Sequence, residues 1–169
     1  MTEREHTLTV GGICRQELRE QLTAAGVGLN AFAETLLEHP RVQQDAPVAL
    51  TLTQRTVEEL GLPAGGTLPQ VIAAARQHGL ELCPPATGPY LRLALTSQTP
   101  APDSVLSAGR APSGALHVLS APLSEDHEYP KGFYLRVVGG VSWLRGYRCD
   151  DEYCLPPEAV LVLRMPQAE

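Results

Sequence analysis

Three short stretches set an aromatic ring and an arginine around a leucine: Tyr90-Leu91-Arg92, Tyr134-Leu135-Arg136 and Trp143-Leu144-Arg145. Rings and guanidinium groups at this spacing share one chemistry, which is recognition. A guanidinium lies flat on a π-face or forks onto a carboxylate or phosphate, and Arg, Trp and Tyr dominate the energetic centres of protein interfaces. If each triplet lies in a strand, the leucine points to one side and the ring and arginine to the other. Tyr90, Arg92, Tyr134, Arg136, Trp143 and Arg145 are therefore the candidate binding residues. Such a face has three uses: an outer surface that covers its own rings, a docking surface for a protein, or a platform on which a planar anionic ligand or a base stacks.

A second chemistry is suggested by two acidic loops. "SEDHEYP" gathers Glu125, Asp126, His127 and Glu128, and "CDDEYC" adds Asp150, Asp151 and Glu152. Brought together, they would hold a divalent cation or pair an acid with a base, as a metal-assisted hydrolase requires. Nothing in their spacing fixes a ligand geometry, and solvated loop carboxylates are the plainer account. No metal and no cofactor is assigned.

Other chemistries fit poorly. A phosphate loop needs a Gly-rich turn followed by Lys and Ser or Thr, whereas the single lysine, Lys131, precedes Gly132 and Phe133. The helix expected over "NAFAETLLEH" presents Glu34 and Glu38 where a DNA-reading helix would carry basic or amide groups. Cys149 and Cys154 lack a second pair at zinc-ligand spacing, so all four cysteines, with Cys14 and Cys83, read as thiols. His6, His39, His78 and His117 are scattered, and His39 and His78 fall at expected helix ends.

Composition narrows the partners. The chain has 169 residues, is 43% hydrophobic and 19% charged, and carries a net charge of -6. That is a globular composition with a real core, and neither half of the chain is basic. Nucleic acid and membrane surfaces are therefore not expected partners. No apolar run is long enough to span a bilayer and no basic-then-apolar leader opens the chain, so the expected location is the cytoplasm.

The elements that must position these residues fall into two patterns. Up to about residue 80, helical spacing prevails. Leu18, Leu22 and Ala25 form one apolar stripe, Asn30 caps "AFAETLLEH", and capping boxes stand at Thr56/Glu59 and Thr67/Gln70. "HTLTV" and "PVALTLTQ" are the strands of this half. After "CPPATGP" the period becomes two, in "YLRLAL", "ALHVLSAPL", "GFYLRVV", "VSWLRGYR" and "EAVLVLRM". Gly139-Gly140 is a two-residue hairpin signal, because both residues accept positive φ. It sets Val138 opposite Val141, Arg136 opposite Trp143, Leu135 opposite Leu144 and Tyr134 opposite Arg145.

The pattern predicts an α+β chain: a mainly helical module with one or two strands over residues 1–83, a Pro-rich link over 84–89, and an antiparallel β-meander over 90–169. "GVGLNAFAETLLEHP", "VEELGLPAGGTLPQVIAAARQHGLELCPPATGPYLRLAL" and "PLSEDHEYPKGFYLRVVGGVSWLRGY" resemble a family of small bacterial proteins of unknown function, some of them labelled helicase. The resemblance implies the same order of elements and carries no activity onto these residues. The functional expectation is a non-enzymatic binding module that meets a protein or a small anionic ligand. Its alternatives are the metal-assisted hydrolase and a single-stranded nucleic-acid binder.

Overall fold

The computed structural model describes residues 5–95, 115–124, 126, 129–147 and 154–166. The elements, in order, are β1 (Glu5–Val10), α1 (Arg15–Ala24), β2 (Gly28–Leu29), α2 (Ala31–Glu38), β3 (Val48–Thr56), β4 (Gly66–Thr67), α3 (Leu68–Gln77), α4 (Thr87–Ala94), β5 (Leu116–Val118), β6 (Gly132–Val138), β7 (Val141–Tyr147), β8 (Cys154–Leu155) and β9 (Val160–Arg164). Seven strands form one curled sheet in the order β1-β3-β9-β5-β6-β7-β2, and β4 pairs with β8 in a short ribbon.

This corrects the expected fold class. The protein is sheet-rich, with a mixed sheet and short helices, and is not a mainly helical module followed by an antiparallel meander. β9 lies antiparallel to β3 and parallel to β5, while β2 runs parallel to β7. The cause lies in β9 itself. "VLVL" is a continuous apolar run, with Leu161, Val162 and Leu163 buried, and such a strand must be covered on both faces. The centre of the sheet provides that cover, so the last strand inserts between β3 and β5 instead of ending a meander.

The second correction concerns "YLRLAL", which is helical in α4 and not a strand. Leu91, Leu93 and Leu95 alternate, but Leu91 and Leu95 are also one helical turn apart, and so short a run fits either period. Leu, Arg and Ala are strong helix formers, and the stretch lacks the β-branched residues of a true strand. Pro89 falls in the first turn, where its missing N–H is no loss.

Each helix buries one stripe. Leu18 and Leu22 of α1, Ala33, Leu36 and Leu37 of α2, and Leu91 of α4 pack with Phe133, Leu135 and Leu144 on one face of the sheet. On the other face α3 lays Leu68, Val71, Ala74 and Ala75 against Leu161 and Leu163. Local signals hold the ends as expected. Thr67 and Gln70 form a reciprocal capping box, Thr56 and Glu59 bond each other's backbone N–H at 3.1 and 2.9 Å, and Asn30 caps α2. No helix among the described residues is long and apolar enough to cross a membrane.

Candidate functional site

The β6–β7 hairpin sets the site. Gly139 and Gly140 take φ of +58° and +80°, the mirror-image turn whose twist matches the strands it joins. The register pairs Tyr134 with Arg145, Leu135 with Leu144, Arg136 with Trp143 and Val138 with Val141. Leu135 and Leu144 belong to the core beneath α1, α2 and α4, so Tyr134, Arg136, Trp143, Arg145 and Tyr147 face the other way.

That face grades from buried to exposed. At its inner side His117 of β5 lies opposite Tyr134, with the rings stacked at 5.6 Å, and Tyr147 meets the imidazole edge-on at 5.4 Å. His117, Tyr134 and Arg136 are buried. Toward the outer strand Trp143, Arg145 and Tyr147 are half-buried, and Val141 at the hairpin is exposed. The Arg145 guanidinium lies 4.3 Å from the centre of the Trp143 ring, within cation–π range. Arg145 Nε has no hydrogen-bond partner among the described residues.

Gly28 in β2 completes the seat of the indole. A Cβ at Gly28 would lie 2.6–2.8 Å from Trp143 ring atoms, so only glycine lets the ring rest against the neighbouring strand. Trp143 is the single tryptophan of the chain, and its emission reports this seat directly. Gly28→Ala should push the ring outward, red-shift its emission and raise its quenching by acrylamide, at a stability cost of roughly 1 kcal/mol for an overpacked site that can yield toward solvent. An unchanged spectrum would contradict the packing.

Tyr90 and Arg92 are not on this face. Both lie in α4, across the sheet. Arg92 is buried; its Nη2 donates to the Leu95 carbonyl at 2.7 Å and its Nη1 to the Trp143 carbonyl at 3.3 Å. It thus holds the C-terminal end of α4, where a cation suits the helix dipole, and ties that end to β7. Burial lowers its pKa. Burial raises the Tyr90 pKa, opposed by backbone hydrogen bonds from Ile13 and Gly11 that tie the ring to the loop after β1.

His117 belongs to this face, although its spacing from the other histidines in the sequence marks no site. The signal was present in "ALHVL", where period two places a lone imidazole opposite the leucine and valine that enter the core. Burial pushes its pKa down from 6.5 to about 4, against a backbone hydrogen bond with Val160, and Nδ1 has no partner among the described residues. The imidazole is neutral near pH 7 and serves as an aromatic filler.

Of the acidic loops only Asp126 is described, its N–H donating to Ser124 Oγ at 3.1 Å. Glu125, His127, Glu128, Asp150, Asp151 and Glu152 lie outside the described residues. Among the described residues no three His, Cys, Asp or Glu side chains converge. Fold and face together define a sheet-rich α+β protein with a graded aromatic–arginine face. Compared with known proteins, the chain matches no family model, no curated protein and no solved structure.

Proposed function

We propose that the chain is a non-enzymatic, cytoplasmic binding module that receives a protein partner or a small anionic ligand on the rim built by Trp143 and Arg145. The stacking of Arg145 on Trp143, with both half-buried, carries this reading. A guanidinium already laid on a ring has lost part of its rotamer freedom, and its donors remain able to fork onto a carboxylate or phosphate. Exposed Val141 beside it offers apolar contact. Tyr134 and Arg136 act as the buried support of that rim, while Tyr90 and Arg92 hold the layer behind it.

The described cysteines, Cys14, Cys83 and Cys154, are free thiols, which suits a reducing compartment. A ligand retained by the immobilised wild-type chain should bind Trp143→Ala and Arg145→Gln at least about tenfold more weakly, the loss expected at an interface anchor. Circular dichroism would show the variants folded. Equal retention by all three proteins would contradict the proposal.

A further inference from the structure

We propose that the outer edge of β1 is a strand-addition site for an extended peptide of alternating aliphatic and basic residues. β1 ends the sheet, pairing on one side with β3 and, among the described strands, with nothing on the other. The direction of its backbone groups follows from the register. Met165 N–H donates to the Thr51 carbonyl, so the polar groups of Thr51 point toward the β9 side. Thr7 is opposite Thr51 in an antiparallel pair, and when one member of such a pair turns its polar groups away, so does the other. The N–H and C=O of Thr7, and by alternation those of Glu5 and Thr9, therefore face the open edge. Thr7 and Thr9 are exposed.

Open edges are usually blunted by proline, lysine, a bulge or very short length. β1 runs six residues, "EHTLTV", with neither proline nor lysine. Alongside it lies a groove of about 370 Å³, with Leu8, Leu91 and Leu95 among its apolar lining and Glu5, His6 and Thr7 on its polar side. An added strand supplies main-chain hydrogen bonds to the edge and sends alternate side chains to opposite faces, aliphatic ones toward α4 and the others toward Glu5 and Thr7. Charge favours a basic peptide over an acidic one: the groove lining holds the Glu5 carboxylate beside His6 and no arginine or lysine, and the chain carries -6 overall with its histidines neutral.

The test is a titration of the ¹⁵N-labelled chain with the capped hexapeptide acetyl-KVTVKV-amide. Saturable shifts and slowed hydrogen exchange at the Thr7 and Thr9 amides are expected. Thr7→Pro removes an outward donor without touching the β1–β3 ladder and should weaken binding at least about tenfold. Ala94→Phe, which fills the groove from an exposed helix position, should do the same if the proline variant folds poorly. Glu5→Lys should reverse the preference toward acetyl-EVTVEV-amide. Arg145→Gln should leave peptide binding unchanged, which separates this edge from the Trp143 rim. No saturable shift at millimolar peptide, or shifts that persist in both the Thr7→Pro and Ala94→Phe variants, would overturn the proposal. So would concentration-dependent self-association abolished by Thr7→Pro, which would assign the edge to a second copy of the chain.

Discussion

Asn30→Ala should lower the stability of the fold by about 2–4 kcal/mol, read from denaturant unfolding followed by Trp143 emission. One side chain makes three bonds at the junction of β2, α2 and β7. Its Oδ1 accepts from Ala33 N–H at 2.8 Å, which caps α2, and from Gly146 N–H at 2.9 Å. Its Nδ2 donates to the Gly146 carbonyl at 3.1 Å. The amide thereby continues the pairing of β2 with β7 after the backbone has turned into the helix. Gly146 is part of the same joint, because a Cβ there would meet the backbone of Phe32 at 2.7 Å. Truncation removes the cap and strands two polar groups of Gly146 at a close-packed helix–strand contact. Asn30→Ser keeps a side-chain oxygen to cap α2 and loses both bonds to Gly146, so it should cost about half as much. Equal loss in the two variants, or a loss below about 1 kcal/mol for alanine, would contradict this arrangement.

The second large effect is a response to acid. Burial holds the His117 pKa at about 4 in the folded chain, against its ordinary 6.5. Above pH 6.5 the imidazole is neutral in both states and contributes no pH dependence. Between 6.5 and about 4 the unfolded chain takes up a proton that the folded chain refuses, so stability falls as pH falls. Below about 4 both states are protonated and the effect levels off. The whole window amounts to roughly 3 kcal/mol. His117→Phe keeps an aromatic ring against Tyr134 and Tyr147 and cannot titrate. The stability difference between variant and wild type should therefore be flat above pH 7 and grow in favour of the variant down to pH 4. Other titrating groups cancel in that difference. Parallel stability curves across the window would show that His117 is already protonated or solvated.

Local signals in the sequence are more legible than long-range ones. Gly139-Gly140 fixed the register of β6 and β7, because two adjacent residues at positive φ admit few turns and the pairing follows by counting. Asn30 and the Thr67/Gln70 box marked helix starts for the same reason: a cap is a bond within a few residues. The sheet order depended on contacts far apart in the chain. "VLVL" shows that β9 is buried on both sides, but not which strands flank it. The first aromatic–Leu–Arg triplet failed because Leu at every second position also places leucines one helical turn apart, and propensity decided for α4. The other two triplets share one side of the hairpin by register, and burial divides that side: Tyr134 and Arg136 lie beneath, Trp143 and Arg145 at the rim. Alternation assigns a residue to a side of a sheet and leaves open how deeply that side is covered.

The central claim is that an acidic chain carries a half-exposed cation on its single tryptophan, poised to receive an anion. Quenching of Trp143 emission by iodide and by caesium tests it most directly. The net charge of -6 favours caesium at a featureless surface, whereas a guanidinium 4.3 Å from the ring centre draws iodide to it. With each quenching constant divided by that of free N-acetyltryptophanamide, iodide should exceed caesium at equal ionic strength, and Arg145→Gln should narrow or reverse that preference. Stronger quenching by caesium in the wild type, or a preference untouched in Arg145→Gln, would contradict the account.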